Sequence, residues 1–170
     1  RTRARRIDSA RAAAAVEPSV FDGLTNSTGG DTIYLSSIDR DGNIVSLIQS
    51  IYEGFGSGIV PSGTGFALHN RGALFTLQKG HPNELAPRKR PLHTIIPGFM
   101  QKGNVRIGFG IMGGFNQAQA HAQFVANVAD FDLDIQQALE AGRFTKGTFT
   151  GRDVCVEALV SESIRSQLAA

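Results

Sequence analysis

The sequence predicts an α+β fold in which strands come first and helices follow. Two β-prone segments, 32–38 and 44–50, flank the turn sequence DGN at 41–43, which is a hairpin signature. Helical periodicity comes later, at 116–129 and 134–141. Strands followed by helices favour α+β over a doubly wound sheet. Glycine accounts for 20 of the 170 residues without a repeat of period three, which indicates tight turns and backbone close to a ligand.

The composition excludes several classes of protein. A length of 170 residues suits one domain, and 17 Lys plus Arg against 15 Asp plus Glu give a net charge of +2. That charge is too small to indicate a nucleic-acid partner. The single cysteine, Cys155, excludes an intrachain disulfide and a cysteine-based zinc cluster. Because no run of about 18 apolar residues occurs, we expect no membrane span.

The first part of the chain differs in character from the rest. Residues 1–16 are rich in Arg and Ala, which predicts a short exposed helix. A basic arm for nucleic acid is the alternative, and the lack of aromatic side chains for base stacking counts against it. Residues 17–31 are turn formers and predict a loop or linker.

The remaining elements follow from local patterns. Apolar residues of the segment 116–129 share one helical face, and Asp132 or Asp134 is available to cap the helix at 134–141. The other segments predict, in order, a loop, strand and turn over 55–70, a long surface loop with prolines over 78–94, strands at 95–100, 105–112 and 154–160, and a helix over 161–170.

A GxGxxG pattern formed by Gly108, Gly110 and Gly113 lies between a predicted strand and a predicted helix. That is the context of a dinucleotide-binding fingerprint, which also needs a second strand one βαβ unit later. Here one predicted helix runs into the next, so the interpretation that we favour drops the nucleotide. The glycine pair Gly113-Gly114 would then leave backbone N–H groups free to hold an anion or an oxyanion.

Metal and cofactor sites are not indicated. The four histidines, His69, His81, His93 and His121, have no metal-ligand spacing, and no HExxH motif or paired acid accompanies them. His121 lies in the middle of a predicted helix, where we expect a structural role. We therefore predict that the protein uses no cofactor.

The junction between Asp31 and Thr32 is the sharpest local feature. A flexible Gly-Gly-Asp segment delivers Thr32 to the start of a predicted strand. An internal threonine is a poor nucleophile because the pKa of its hydroxyl is too high. Cleavage before Thr32 would give it a free α-amine with a pKa of about 8, which can deprotonate the hydroxyl directly or through one water.

Five segments in this order resemble the gamma-glutamyltransferase family: DTIYLSSIDRDGNIVSLIQS, FGSGIV, GTGFALHNRG, APRKRPLHTIIP and GIMGG. The resemblance implies an N-terminal-nucleophile (Ntn) hydrolase fold, a four-layer αββα sandwich matured by autocatalytic cleavage. It also implies that residues 1–31 are the tail of the large subunit and the pre-cleavage linker. Residues 32–170 would be most of the small catalytic subunit, truncated at its C-terminus, with the large subunit of the same precursor as its partner.

The resemblance also implies roles for single residues. Thr32 falls at the nucleophile and new N-terminus, with cleavage between Asp31 and Thr32. Ser50 falls where a threonine usually bonds to the new amine. The glycine pair Gly113-Gly114 matches the oxyanion hole, which agrees with the backbone interpretation above. Thr94 matches the second of two hydroxyl residues that hold a substrate carboxylate.

Several positions depart from the family pattern. Tyr52 replaces an asparagine near the nucleophile, and His93 replaces the first hydroxyl residue of the pair. Leu74 stands where the transferases carry an aspartate that pairs with the γ-glutamyl α-amine, a partner worth roughly 1.5–3 kcal/mol. Arg71 and His93 instead favour an anionic or neutral acyl group. These changes, with Asp31, resemble a divergent branch that includes oxamate amidohydrolase and acylase-like members.

Three functions follow as hypotheses. The first is an autoprocessing hydrolase or acyltransferase with an N-terminal threonine, acting on γ-glutamyl or related amide bonds of a small molecule. The second is a small-amide amidohydrolase of the oxamate-like or acylase-like kind. The third is a non-catalytic binding module on the same fold. We expect residues 1–170 alone to be inactive, because part of the sandwich would be missing and strand edges would lie unpaired.

Overall fold

The structure, a computed structural model, describes residues 8, 10, 31–147 and 151–169. These fall into two compact units, one comprising 31–141 and one that includes 142–147 and 151–169. The elements are β1 (Asp31–Ile38), β2 (Ile44–Tyr52), a 3-10 helix (Arg71–Leu74), β3 (Gly98–Lys102), β4 (Val105–Phe109), α1 (Asn116–Ala129), α2 (Ile135–Glu140), β5 (Phe144–Thr145), β6 (Cys155–Val156) and α3 (Glu162–Leu168).

The predicted hairpin at the start of the described chain is confirmed. β1 pairs antiparallel with β2, and the last pair before the turn is Ile38 with Ile44. The Asp39 carboxylate closes the turn by accepting the side-chain N–H of Asn43 at 2.7 Å and its backbone N–H at 2.9 Å. These bonds from Asn43 lower the pKa of Asp39. Gly42 supplies the left-handed residue, with φ of 82°.

The two faces of this hairpin have different surroundings. Ser46 on β2 donates to the carbonyl of Gly98 at 2.9 Å and therefore accepts from the Tyr34 hydroxyl at 2.9 Å, so this face meets the β3–β4 hairpin. Thr32 lies on the same face, since side chains of one parity share a face of a strand. The opposite face carries exposed apolar side chains: Ile33, Leu35, Val45 and Leu47.

The β3–β4 hairpin begins later than predicted and ends earlier. The sequence places strands at 95–100 and 105–112, whereas the structure has β3 at Gly98–Lys102 and β4 at Val105–Phe109. Pro97 has no N–H to contribute to a ladder, and the N–H of Ile96 is taken by the side chain of Gln117 at 3.0 Å. The first strand therefore starts after the proline.

Glycines of the GxGxxG pattern have a packing role. A Cβ at Gly110 would collide with the ring of Tyr34, and a Cβ at Gly108 would lie 3.0 Å from Cγ2 of Ile44. The close approach of the β1–β2 hairpin thus leaves no room for a Cβ at Gly110 unless the Tyr34 ring moves, and little room at Gly108. Within 98–141, α1 leads directly into α2, so the second strand of a dinucleotide-binding unit does not form there.

Both predicted helices of this unit are confirmed. α1 runs from Asn116 to Ala129, with Ala120 buried and Phe124 packed against Phe109 at 5.2 Å between ring centroids. α2 is capped by Asp134, whose carboxylate accepts the N–H of Gln137 at 2.8 Å while the Gln137 side chain accepts the N–H of Asp134. Of the two predicted caps, Asp134 is therefore the one in use.

One predicted strand is wrong and another is shorter than predicted. The segment 55–70 forms turns, because glycines at 56, 58, 63 and 65 have positive φ and break the extended chain. The predicted strand at 154–160 shrinks to Cys155–Val156, since the N–H of Val160 turns back to the carbonyl of Glu157. The 78–94 surface loop and the helix near the C-terminal end are confirmed, the latter as α3.

Within the smaller unit, an ion pair links the segment that carries β5 to the segment that carries β6. Arg143 donates to Glu157 through Nη2 at 2.8 Å and Nε at 3.0 Å, and this bond lowers the pKa of Glu157. β5 and β6 pair beside it. Apart from residues 8 and 10, the segment 1–16 lies outside the described residues, and so do residues 17–30; Asp31 belongs to β1. No helix in the described part of the chain has the length and apolar character needed to cross a membrane.

We predict that Gly110→Ala destabilises the full-length protein by about 1–3 kcal/mol, because the new methyl group must displace the Tyr34 ring. Gly72→Ala is the matched control, since a Cβ there meets open space. Thermal melting of both variants against the parent tests this. Equal melting temperatures for the two variants would contradict the packing that we assign to Gly110.

Candidate active site

Thr32 and Ser50 face each other across the β1–β2 ladder. The resemblance implies a bond from Ser50 to the amine of Thr32, whereas the bond in this structure is to the Thr32 hydroxyl. Thr32 is buried, and its hydroxyl donates to Oγ of Ser50 at 2.9 Å. The register shifts between Asp31 and Thr32, so that Asp31 pairs with Tyr52 and Thr32 with Ser50. Ile51 is the extra residue of a β-bulge, a feature found where a strand re-aims a side chain.

Tyr52 ends β2 in an unusual conformation. Its φ is 80°, in the left-handed region that non-glycine residues rarely occupy, and its side chain is buried. Its N–H donates to Oγ of Ser50 at 3.0 Å. Ser50 thus accepts two hydrogen bonds, one from Thr32 and one from Tyr52, and its own hydroxyl hydrogen remains for a third group.

Asn70 holds the backbone beyond Tyr52. Its side chain accepts the N–H of Glu53 at 3.1 Å and donates to the Glu53 carbonyl at 3.3 Å, and its own N–H donates to the Ile51 carbonyl at 3.2 Å. Sequence reasoning missed this residue. The available signal was an amide side chain directly before Arg71 in a glycine-rich segment.

Arg71 is the most deeply buried charge of the described residues, at 1% exposure. Its guanidinium carbon lies 4.8 Å from the centroid of the Tyr52 ring, and Nη1 donates to Oγ1 of Thr94 at 2.8 Å. Nη2 is buried and has no hydrogen-bond partner within the described ranges. Burial lowers the pKa of Arg71, but the guanidinium remains charged at neutral pH. Each residue of this series contacts the next: Thr32 bonds to Ser50, Ser50 to Tyr52, Tyr52 stacks on Arg71, and Arg71 bonds to Thr94.

His93 and Leu74 stand apart from this chain of contacts. His93 is exposed, its Nδ1 lies 2.7 Å from the Pro91 carbonyl, and its ring meets His69 edge to face at 6.1 Å between centroids. Leu74 ends the 3-10 helix, and its carbonyl accepts the side-chain N–H of Asn83 at 2.5 Å. Leu74 is half-buried, and its apolar side chain offers no carboxylate at the position where the resemblance would place an aspartate.

The glycine pair forms the turn between β4 and α1, as predicted. Gly113 and Gly114 have φ of 120° and 55°. Their carbonyls accept the first N–H groups of α1, from Asn116 at 2.9 Å and Gln117 at 3.2 Å. In the described chain neither glycine N–H donates to a backbone carbonyl.

Gln117 is a buried residue that sequence reasoning missed. It is completely buried. Its side-chain oxygen accepts the N–H of Ile96, and its backbone N–H donates to the carbonyl of Gly114. The residue therefore ties the glycine turn to the segment that carries Thr94. A polar residue in the first turn of an otherwise apolar-faced helix was the available signal.

The histidine predicted to be structural lies against the β3–β4 hairpin. The ring of His121 meets Phe109 edge to face at 5.1 Å between centroids. Burial lowers the pKa of His121, which keeps the ring neutral. Among the residues that the structure describes, no cluster of three His, Cys, Asp or Glu side chains could hold a metal ion.

Comparison with known proteins gives a consistent result. The sequence matches the gamma-glutamyltranspeptidase family over residues 1–170. It is 40% identical to the glutathione hydrolase-like YwrD proenzyme of Bacillus subtilis, over 74% of this chain and 24% of that protein. It is 37% identical to the oxamate amidohydrolase proenzyme of Klebsiella pneumoniae, over 72% of this chain and 24% of that protein. The chain thus spans about a quarter of the length of these curated relatives.

A solved structure supports the fold. The structure resembles a mutant of Helicobacter pylori gamma-glutamyltranspeptidase with a TM-score of 0.69 and 26% identity, over 80% of this chain and 79% of that chain. The Ntn-hydrolase fold is therefore supported. The match to oxamate amidohydrolase confirms the predicted resemblance to the divergent branch.

We predict that Gln117→Met costs the full-length protein about 1–3 kcal/mol of unfolding free energy, because the half-buried N–H of Ile96 loses its acceptor, the completely buried Gln117 side chain. Gln136→Met is the control: Gln136 is exposed on α2 and should change stability by no more than about 0.5 kcal/mol. Denaturant unfolding compares the two. If Gln117→Met lowers the free energy of unfolding no more than Gln136→Met does, the bond between Gln117 and Ile96 does not stabilise the protein as we propose.

Proposed function

The chain belongs to the gamma-glutamyltranspeptidase family, and we propose that it carries the catalytic centre of an autoprocessing N-terminal-threonine hydrolase or acyltransferase. Its substrates would be γ-glutamyl or related amide bonds. Residues 1–31 would end the large subunit and residues 32–170 would belong to the small subunit. The observation that carries the proposal is the buried hydroxyl of Thr32, bonded to Ser50 at 2.9 Å next to the proposed cleavage site.

The proposed reaction uses the amine released by cleavage between Asp31 and Thr32. With a pKa of about 8, this amine accepts the proton of the Thr32 hydroxyl, directly or through one water. The alkoxide attacks the amide carbonyl, and the amine then protonates the departing nitrogen as the acyl ester forms. Water or an acceptor amine attacks the ester, one of its protons passes through the α-amine to the threonine oxygen as the ester bond breaks, and the acyl group leaves as an acid or a new amide.

The hydrogen bonds around Ser50 support its place beside the nucleophile. The Ser50 oxygen accepts from the Thr32 hydroxyl and from the Tyr52 N–H. For the reaction the Thr32 hydroxyl turns its single hydrogen from Ser50 to the amine, which leaves the Ser50 hydroxyl able to hold the amine or the hydroxyl in place.

The glycine turn supports the oxyanion role. Positive φ at Gly113 and Gly114 places successive N–H groups in a turn at the start of α1, where the helix dipole also favours negative charge. Donors of this kind stabilise the tetrahedral intermediate, and removal of one typically costs about 100- to 1,000-fold in rate.

A small-amide amidohydrolase is the second candidate, favoured by Leu74 and Arg71. Leu74 offers no carboxylate to the α-ammonium group of a γ-glutamyl substrate. The buried guanidinium of Arg71, next to Tyr52 and Thr94, favours an acyl group that is anionic or neutral. His93 is exposed close to Thr94 in sequence and could meet the outer part of such a substrate.

The exposed apolar face of the β1–β2 hairpin supports a partner from the same precursor. Ile33, Leu35, Val45 and Leu47 present a stripe that a second layer of a sandwich would cover. The chain spans only 24% of its curated relatives, so the rest of such a precursor is long enough to supply that layer. We therefore propose that residues 1–170 alone are inactive.

The first test replaces the nucleophile in the full-length protein. We predict that Thr32→Ala abolishes cleavage before residue 32 and lowers amide turnover at least about 1,000-fold, because both need the hydroxyl. Thr32→Ser keeps a hydroxyl and should still be cleaved. Gel analysis of the chains and an amide hydrolysis assay report the two effects. A cleaved and active Thr32→Ala protein would overturn the proposal.

The second test changes the substrate preference. Leu74→Asp should raise kcat/KM for a γ-glutamyl anilide at least about 10-fold, since a charged hydrogen-bond partner for the α-ammonium is worth about 1.5–3 kcal/mol. Leu74→Asn, which has the same shape and no charge, is the control. If the parent already turns over the anilide as efficiently as Leu74→Asp, the missing carboxylate does not determine specificity.

A further inference from the structure

Asn70 bonds to the backbone on both sides of Tyr52, directly behind the proposed nucleophile. We infer that Asn70 is a positioning residue for self-cleavage: it holds Tyr52 in its left-handed conformation and so keeps the Tyr52 N–H on Ser50. Ser50 in turn accepts the hydrogen bond of the Thr32 hydroxyl. This inference deepens the proposed function and rests on it, because it concerns the cleavage that would release the amine of Thr32.

The bonds of Asn70 reach both peptide groups that flank Tyr52. A peptide group is planar, so the Ile51 carbonyl turns together with the Tyr52 N–H, and the Tyr52 carbonyl turns together with the Glu53 N–H. The backbone N–H of Asn70 donates to the Ile51 carbonyl at 3.2 Å, and its side-chain oxygen accepts the Glu53 N–H at 3.1 Å. The angles φ and ψ of Tyr52 set how these two planes lie relative to each other. Bonds from one residue to both planes therefore fix these angles.

The conformation of Tyr52 has to be held by its surroundings. Its φ of 80° lies in a region where the Cβ of most residues is crowded and which glycine alone adopts freely. Conformations of this kind persist only where the surrounding structure over-determines them. The ring of Tyr52 lies 4.8 Å from the guanidinium carbon of Arg71, the residue that follows Asn70. Two consecutive residues thus hold the backbone and the ring of Tyr52.

The peptide group between Ile51 and Tyr52 acts on the nucleophile through Ser50. The N–H of Tyr52 donates to Oγ of Ser50 at 3.0 Å, and the Thr32 hydroxyl donates to the same oxygen at 2.9 Å. If this peptide group turned, the Tyr52 N–H would leave Ser50. The Ser50 hydroxyl would then be free to rotate away from Thr32.

The chain beyond Tyr52 is fastened as well. The Glu53 carbonyl accepts the side-chain N–H of Asn70 at 3.3 Å and the backbone N–H of Gly56 at 2.9 Å. Because the bond from Gly56 does not involve Asn70, it restrains the following chain even when the Asn70 side chain is removed. Part of the strain at Tyr52 would then be relieved by rotation of the peptide group that carries its N–H.

Self-cleavage depends on the direction of the Thr32 hydroxyl. In the proposed step the hydroxyl oxygen adds to the carbonyl carbon of Asp31, the hydroxyl proton passes to the Thr32 nitrogen, and the bond between that carbon and nitrogen breaks. Water then hydrolyses the resulting ester, which gives a carboxyl group on Asp31 and a free hydroxyl and amine on Thr32. A hydroxyl that Ser50 no longer orients reaches the carbonyl less readily, so cleavage slows.

The rate at which newly synthesised full-length protein is cleaved tests the inference. We expect Asn70→Ala to slow the appearance of the chain that begins at Thr32 at least about 10-fold, because the bonds of its side chain to Glu53 are lost. Asn43→Ala is the matched control and should leave the rate unchanged. Asn43 is an exposed asparagine at the opposite end of the same hairpin, where its side chain bonds to Asp39. Gel analysis at successive times after cell-free synthesis measures the rates.

A pair of substitutions at position 52 separates the backbone conformation from the loss of the ring. Tyr52→Gly and Tyr52→Ala both remove the ring, but only glycine adopts the left-handed conformation without strain. In the Asn70→Ala background, Tyr52→Gly should therefore be cleaved at least about 5-fold faster than Tyr52→Ala, because glycine does not need the Asn70 side chain to hold it. A purely structural role of Asn70 would not produce this rescue.

The outcomes separate the inference from the proposed function. Cleavage of Asn70→Ala at the rate of the parent, or equal rates for the two variants at position 52, would overturn the inference and leave the proposed function intact. If the parent and all variants stay uncut, the proposed function fails, and hydrogen exchange of the Tyr52 amide decides on the hold. Slow exchange in the folded parent and fast exchange in Asn70→Ala would support the hold on Tyr52, whereas equal exchange would overturn it.

Discussion

The pairing of β1 with β2, with one extra residue in β2 opposite the step from Asp31 to Thr32, is the constraint on which the site depends. The bulge sets Thr32 against Ser50 while Asp31 meets Tyr52. Tyr52 then leaves the strand in a left-handed conformation and presents its ring to Arg71. A shift of the register by one residue would turn Thr32 to the other face of the hairpin, away from every group that it contacts.

Three amide side chains, of which those of Asn83 and Gln117 are buried, hold the long irregular segment between the two hairpins. Asn70 binds the backbone at Ile51 and Glu53, Asn83 joins the carbonyl of Leu74 to the N–H of Leu92, and Gln117 takes the N–H of Ile96. Each replaces hydrogen bonds that a regular strand would have supplied. The segment can therefore deliver Arg71 and Thr94 to one place without being part of a sheet.

The sequence predicts local structure better than it predicts the contacts among Tyr52, Arg71 and Thr94. The turn signature predicts the first hairpin and the apolar periodicity predicts α1, because both are encoded by neighbouring residues. The strand expected within 55–70 fails because positive φ at several glycines outweighs the apolar residues between them. Arg71 and Thr94 are separated by 23 positions in the chain, and the Tyr52 ring contacts Arg71. Such contacts arise from tertiary packing and leave no periodic signal in the sequence. The roles of Thr32, Ser50 and the glycine pair stay predictions, supported by their geometry.

The mass of each chain in the purified, full-length protein tests the central claim most directly, since the chemistry that we propose needs a free amine on Thr32. We predict two chains, with the smaller beginning at Thr32. A single uncut chain in a folded protein that still hydrolyses amides would contradict the account, because the amine would then be absent and the reaction would need another base.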